Sequence, residues 1–421
     1  MAHNFFLGSI GKVLSNRPFR RYWMANAGSI VGRWIYRTAV AWLVWELTED
    51  PKWLGIIAFA DMFPMVMLSL VAGAISDRIG YVKVIRLSQF GMCLMGAGFS
   101  AAIYAGYLNI ELIIGISIIH GTLEAMSTPA RISIVHALVT KDELSAAIAL
   151  NSAMFNATRV IGPAIGGALL LWVDPGTVIA LATIAFIQFY IVMTFLKVEA
   201  AGGDGRISWE LIEDMKAGVV YACRHKGIRF LMLMLAAVGL LIRPLMELAP
   251  GFAAEVFGRG PEGYALLLSS IGGGAMVGSL WMARRGGTEG LTPLVVSSLL
   301  VQGVTVVVFA FTGNIYVGSV FLAVMGYSMM IGGVGSQTLI QNAVASALRA
   351  RVMSIFILIS WGLPAVGALV LGWGASFFGL QPTTAAGAAL TLLIWLWARP
   401  LGSRLAPGLE QTDARGFRVT Q

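Results

Sequence analysis

A handful of ionisable side chains sit inside long apolar stretches of this sequence, where charge is costly and therefore informative. They are Arg33, Arg37, Asp61, His120, Glu124, Arg159, Arg243 and Glu247. A carboxyl in a low-dielectric cavity holds its proton more tightly than in water, which suits reversible protonation. Glu124 and Asp61 are the candidates for that chemistry. His120 stands one helical turn before Glu124 and is either a packed, hydrogen-bonded residue or a relay partner. Arg37 and Asp61 fall at nearly equal depth in successive apolar stretches, so an ion pair between them is geometrically reasonable. Arg243 and Glu247 are one turn apart and flank Pro244. A structural salt bridge is the favoured reading of both pairs. Arg33 and Arg159 lack an assured carboxylate at matching depth. Each would attract an anionic group, or else pair with Glu124 or with backbone carbonyls.

Other chemistries lack their residues. The glycine-rich run "GGGAMVG" at 272–278 lies within an apolar stretch, so it reads as helix packing and not as a phosphate loop. No Cys/His cluster has metal-ligand spacing, and no nucleophile–base pair suggests a hydrolase. Cys93 and Cys223 suggest neither a disulfide frame nor a metal site. Neither an enzyme nor a bound cofactor or metal is expected.

The elements that must position these charges follow from composition. Of 421 residues, 57% are hydrophobic and 12% charged, against roughly 25% charged in a soluble domain. Apolar stretches of about 20 residues recur, each long enough to cross a hydrocarbon core. Backbone groups in lipid must be satisfied internally, so these stretches are helices. They fall at roughly 22–46, 53–76, 84–106, 110–129, 146–172, 177–196, 229–255, 263–283, 291–312, 315–338, 352–377 and 380–398. The expected class is an all-α membrane protein with twelve transmembrane helices. The first stretch lacks a small-residue cleavage site and is expected to stay as a span.

The net charge of +8 flanks the spans, which points to the lipid bilayer and not to nucleic acid. With Arg131 placed in the loop after span four, only Lys52 and Arg259 of the Lys and Arg residues outside the spans fall on the outer side. Both termini and the middle loop are therefore expected to be cytoplasmic. That loop divides the chain into 1–196, a linker 197–228 and 229–421. In the linker, "GGDG" at 202–205 is followed by Ser208, a candidate cap for a helix. Leu211, Ile212, Met215, Val219 and Ala222 would share one face of it, and Gly227 would end it.

The halves resemble each other. "PAIGGALL" (163–170) matches "PAVGALVL" (364–371), and "GAISDRIG" (73–80) corresponds to "GSLWMARRG" (278–286). Parallel six-helix repeats suit a transporter with a site between its halves. Gly162, Gly166 and Gly167 lie on or near one helical face beside Pro163. Two readings stay open for them, close helix packing and a hinge.

The pattern Gly73-x-x-x-Asp77-Arg78-x-Gly80-x-x-Lys83 resembles the loop 2–3 signature of the major facilitator superfamily. Tyr81 and Val82 stand where the family usually has basic residues. "RVIGPAIGGAL" (159–169) is similar to the span-five motif of its exporter-type antiporters. "TPARISIVHALVTKDELSAAIALNS" (128–152) and "LRARVMS" (348–354) are similar to the subgroup of enterobactin exporters and macrolide-efflux pumps. The span-four arginine of many proton-coupled members is absent, and His120 and Glu124 stand in that span instead.

The resemblance implies two pseudo-symmetric six-helix bundles that alternate between inward-open and outward-open states. It implies export of a small amphipathic organic molecule, drug-like or siderophore-like, across the inner membrane by a monomer, in exchange for protons. Uptake by proton symport, or a transport-inactive scaffold, are the other readings. It also implies that Asp77 latches the halves in the outward-open state, at the start of span eleven where Arg351 lies. An acid would favour the positive end of that helix. A plain solvated helix end is the alternative for Asp77-Arg78. Asp77→Asn is expected to slow transport in proteoliposomes several-fold while membrane insertion is preserved. Unchanged turnover would refute the latch.

Overall fold

The computed structural model describes residues 11–196, 209–345 and 348–410, and every long element among them is helical. In chain order these are α1 (Arg17–Thr48), α2 (Pro51–Ile79), α3 (Tyr81–Tyr104), α4 (Ile110–Leu138), α5 (Lys141–Leu169), α6 (Pro175–Phe195), α7 (Trp209–Arg224), α8 (Lys226–Leu241), α9 (Leu245–Gly251), a π-helical turn (Phe252–Val256), α10 (Pro261–Arg285), α11 (Leu291–Phe311), α12 (Ile315–Ala343), α13 (Arg349–Phe378) and α14 (Leu380–Glu410). Short polar connections set the starts. Asn109 Oδ1 accepts from Leu112 N at 2.8 Å and Asp174 Oδ1 from Thr177 N at 3.0 Å, with Pro175 at the first helical position. Thr140 and Glu143 form a reciprocal capping box. Between α2 and α3 the chain turns on Gly80 alone, at φ 94°, a conformation that glycine adopts without strain.

Ten helical segments are long and apolar enough to cross a membrane. Two more long helices, α1 and α5, complete a set of twelve among the described residues. These two carry polar residues along their length: Asn26, Arg33 and Arg37 in α1, and Asn151, Asn156 and Arg159 in α5. They also pack on each other. A span that turns part of its surface to a polar interior tolerates such residues.

The chain forms two compact units. The first comprises residues 1–48 and 60–207, and its buried core gathers Phe19, Tyr22, Ile85, Ile134, Phe189 and Met193. The second comprises residues 49–59 and 208–421, with Ile228, Leu231, Val295, Leu299, Leu339 and Val352 in its core. The first turns of α2 therefore pack with the second unit. A Cβ on Gly55 would stand within van der Waals overlap of the Ala368 carbonyl of α13, and Gly372 faces Pro51 and Gly55 just as closely. Large apolar side chains such as Leu94, Ile184, Val320 and Leu393 stay exposed, as expected of lipid-facing positions.

The structure departs from the expected elements at several places. α4 runs on past Pro129 to Leu138, so Arg131 belongs to that helix and not to a loop. Span seven is not continuous. Pro244 follows the end of α8, and α9 carries Pro250 before the π turn. Each proline removes a backbone donor, and a locally wider helical register is one way to accommodate that. In the linker, α7 ends at Arg224, and His225 caps the next helix by accepting from Ile228 N at 3.2 Å. Gly227 lies inside α8 and does not end α7. Ala222 is buried, whereas Val219, one turn before it, is exposed. Segment 202–205, Ser208 and the side chains of Leu211, Ile212 and Met215 lie outside the described residues.

In the second unit α10 and α12 cross with their backbones nearly touching. Positions for a Cβ on Gly274 and Gly326 overlap the carbonyl oxygens of Ala323 and Ile271, while Gly273 has nothing within 4 Å. Gly274→Ala is expected to cost about 1–3 kcal/mol through forced separation of the helices, and Gly273→Ala to cost almost nothing. Thermal unfolding in detergent measures both.

Candidate functional site: buried ion pairs in the first unit

The chemistry-bearing residues of the first unit gather where α1, α2, α4 and α5 meet. α4 brings its backbone against α2 at Gly121. A Cβ there would lie 2.0 Å from the Asp61 carbonyl oxygen, so only glycine allows the crossing. That approach puts His120 Nδ1 2.6 Å from Asp61 Oδ1, the length of a charge-assisted bond. His120 is 1% exposed, and its ring stacks on Tyr36 of α1 at 4.8 Å between centroids. The second carboxylate oxygen of Asp61 faces Arg37 Nε at 3.6 Å. Two buried polar atoms at this cluster, His120 Nε2 and the Tyr36 hydroxyl, have no hydrogen-bond partner among the described residues. We assign the Nδ1–H tautomer to neutral His120, because Nδ1 faces the carboxylate; Nε2 is then its free basic atom.

One turn along α4, Glu124 Oε2 accepts from Arg33 Nη1 at 2.6 Å, with Thr128 Oγ1 at 3.5 Å as a second donor. The expected i, i+4 partnership of His120 with Glu124 is therefore replaced by two inter-helix pairs. His120 takes Asp61 and Glu124 takes Arg33. Each carboxylate finds its partner on a neighbouring helix.

Arg131 is the residue that sequence reasoning left out. It is 9% exposed. Its Nε donates to Ser127 Oγ at 2.8 Å, Nη1 to Asn26 Oδ1 at 2.8 Å and Nη2 to Ser29 Oγ at 3.3 Å, and its carbonyl accepts from the Tyr22 hydroxyl at 2.9 Å. Its guanidinium lies 4.7 Å over the Phe189 ring. Span four thus does carry a buried arginine, held by neutral oxygens. A usable signal was present in the sequence: Ser127 is four residues earlier, and Asn26 and Ser29 stand one turn apart in α1.

On α5, Phe155, Arg159, Gly162 and Gly166 fall on one helical stripe. Phe155 lies 6.0 Å under the Arg33 guanidinium. A Cβ on Gly162 would stand 2.4 Å from Trp34 Cβ, and one on Gly166 3.0 Å from Thr38 Cβ. The stripe therefore faces α1, and Gly162 and Gly166 let α1 and α5 pack closely. Gly167 and Pro163 are buried beside them. Arg159 has no hydrogen-bond or ion-pair partner among the described residues.

The second unit contributes a different arrangement. Pro364 in α13 cannot donate to the carbonyl of Ser360. Arg243 Nη1 fills that vacancy at 2.6 Å and sits 6.0 Å from the Trp361 ring. The break around Pro244 puts Glu247 in the separate helix α9, so Arg243 and Glu247 do not share one continuous helix. Of the latch residues, Gly80 makes the turn, and Arg78 and Lys83 are exposed. Gly73 has nothing within 4 Å of its Cβ position. Arg351, in the first turn of α13, has its Cβ 3.0 Å from the Cβ position of Gly218 on α7. The side chain of Asp77 lies outside the described residues.

The helical architecture matches solved transporters. A bacterial homologue of the human lysosomal transporter Spinster, inward-facing and unoccupied, superposes with a TM-score of 0.74 over 94% of this chain and 99% of that one, at 14% identity. The nucleoside transporter NupG gives a TM-score of 0.70 over 91% and 100%, at 12% identity. The chain thus shares the fold of these transporters, and its family makes it a multi-pass membrane transporter and not an enzyme. Within that class the chain belongs to the transmembrane secretion effector family, whose profile matches residues 12–411. The staphyloferrin A transporter of Staphylococcus aureus is 25% identical over 391 residues, 91% of this chain and 96% of that one. The multidrug efflux pump Tap of Mycolicibacterium fortuitum is 24% identical over 390 residues, 84% and 88% of the two chains.

The Arg33–Glu124 pair generates a stability test. Removing one member of a buried pair strands the other charge, at about 3–5 kcal/mol. Glu124→Gln alone is expected to lower the unfolding temperature in detergent clearly, and the double variant Arg33→Gln/Glu124→Gln to regain most of the loss. Strictly additive losses would show that the two side chains do not interact.

Proposed function

We propose that the protein exports a small organic molecule, drug-like or siderophore-like, across the inner membrane in exchange for protons. In this reading it works as a monomer with both termini in the cytoplasm. The six-helix halves 1–196 and 229–421, joined by 197–228, rock around a common site so that it opens to one face at a time. Two relatives, a staphyloferrin A transporter and a multidrug efflux pump, support small organic cargo, and the second supports the outward direction.

The observation that carries proton coupling is the His120–Asp61 pair. It is a 2.6 Å bond in a buried setting, with Nε2 of the imidazole unspent. A proton arriving at Nε2 converts a neutral imidazole beside a carboxylate, a net negative pair, into an imidazolium–carboxylate pair with no net charge. A proton leaving restores the negative pair. Either step changes the charge between α2 and α4 at the place where their backbones touch, so proton occupancy and helix position are linked. Glu124 is engaged by Arg33 and is less suited to the task.

Reconstitution into proteoliposomes with an imposed pH gradient and labelled compounds tests the reading. The expected result is movement of at least one compound against the proton flow. Asp61→Asn is expected to abolish gradient-driven movement, by roughly tenfold or more, while exchange of labelled for unlabelled compound persists. Movement along with protons would establish symport instead, and no movement of any compound would favour a scaffold.

A further inference from the structure

The interior of the first unit holds more positive than negative charge, and the excess has a definite place. Among the described residues, Arg33, Arg37, Arg131 and Arg159 stand there with the carboxylates Asp61 and Glu124, while Glu143 caps the start of α5. Asp61 is engaged by His120 and Arg37, and Glu124 by Arg33. Arg131 is held by the neutral oxygens of Ser127, Asn26 and Ser29. Arg159 alone among these guanidiniums has no partner among the described residues. It is half-buried and lies ten residues before the end of α5 at Leu169, about 15 Å along the helix axis.

Its stripe on α5 faces α1, so snorkelling to a lipid surface does not explain it. The residue one turn before it, Phe155, has its ring centroid 6.0 Å from the Arg33 guanidinium. The residue three positions after it, Gly162, touches Trp34, whose Cδ1 is 3.2 Å from the Gly162 Cβ position. Trp34 Nε1, bonded to that carbon, is a buried donor with no acceptor among the described residues. Two unspent donors, one of them cationic, thus flank the same turn of α5, with an aromatic ring on each side. A guanidinium with five N–H groups in a rigid fork matches a carboxylate. A buried cation without a counter-charge is costly, and an anionic ligand removes that cost.

We propose that Arg159, assisted by the Trp34 indole N–H, binds an acidic group of the transported molecule, so that the cargo is an organic anion bearing a carboxylate. The assignment rests on the transporter reading above and narrows it to a chemical class. Arg33, already paired with Glu124, borders the site and excludes a cationic group from it. Phe155 and the Trp34 ring offer apolar faces to the carbon skeleton that carries the acid.

Binding to the full-length protein in detergent tests this with matched probes, each an acid and its neutral amide: salicylate with salicylamide, and indole-3-acetate with indole-3-acetamide. The lipophilic cation tetraphenylphosphonium is the opposite control. The expected result is that at least one acid binds and its amide binds about tenfold more weakly or not at all. Arg159→Gln is expected to erase the difference between acid and amide, and Arg159→Lys to retain part of it. Elution as a sharp monodisperse peak confirms that each variant is folded. Amides or tetraphenylphosphonium binding as well as the acids would overturn the proposal, as would an acid preference that survives Arg159→Gln, or no acid bound by the wild type. Proton-driven transport of a neutral or cationic compound alongside any of these results would leave the transporter reading standing and remove only the anion assignment.

Discussion

The first unit is organised by the need to neutralise charge where water is scarce. An isolated ion buried in apolar surroundings costs several kcal/mol even after relaxation, so each charge in α1, α2 and α4 demands a partner within a few ångströms. Arg33 meets Glu124 at 2.6 Å and His120 meets Asp61 at 2.6 Å. Those distances fix the separation of three helices, which no pattern of leucines would do so sharply. Gly121 is the consequence: it carries no side chain because one would push α4 off Asp61. The apolar core around Phe19, Ile134 and Phe189 then packs about a frame that the ion pairs have set.

The two units solve a shared geometric problem with different chemistry. In the repeat, Gly166 corresponds to Gly367, and each seats its helix on the first long helix of its own unit. Gly166 lies against Ile35 and Thr38 of α1, and Gly367 against Leu240 of α8. Pro163 corresponds to Pro364, and each deprives a carbonyl one turn earlier of its helical donor. In the second unit that carbonyl is Ser360, and Arg243 supplies the missing hydrogen bond. In the first unit it belongs to Arg159. The second unit spends its arginine on the backbone, whereas the first keeps Arg159 unspent. The repeat preserves the packing and lets the polar function diverge.

Much of this was legible in the sequence, and the limits have physical causes. The helical class followed from composition, and the charged residues in apolar runs stood out because such residues are rarely placed there without reason. Equal depth pointed to Arg37 with Asp61, and Glu124 was one of the readings for Arg33, but the pairing of His120 with Asp61 did not follow. Pairing within a helix is readable from spacing, which favoured His120 with Glu124, but pairing between helices also depends on rotation, which a linear pattern does not encode. Arg131 was lost because Pro129 and a charge together read as the end of a span. The helix continues because Ser127, Asn26 and Ser29 satisfy the guanidinium, and that compensation is tertiary. The break in span seven had a sequence signal in Pro244 and Pro250, yet two prolines in an apolar run fit a bent helix as well as an interrupted one.

The close seating of α1 on α5 places the proposed ligand site at Arg159 on a surface with no slack. Gly162 leaves no room for displacement of Trp34 toward α5, since the gap there is already smaller than a methyl group needs. Trp34 in turn lies 5.7 Å from the Arg37 guanidinium, and Arg37 reaches Asp61. Contacts thus run from Asp61 through Arg37 and the indole to the turn of α5 that carries Arg159. The chain of contacts is short, continuous and made of rigid groups. Close packing and hinging are thus compatible roles for Gly162: a surface with no slack transmits displacement, and a glycine beside Pro163 is where the helix can bend to accept it.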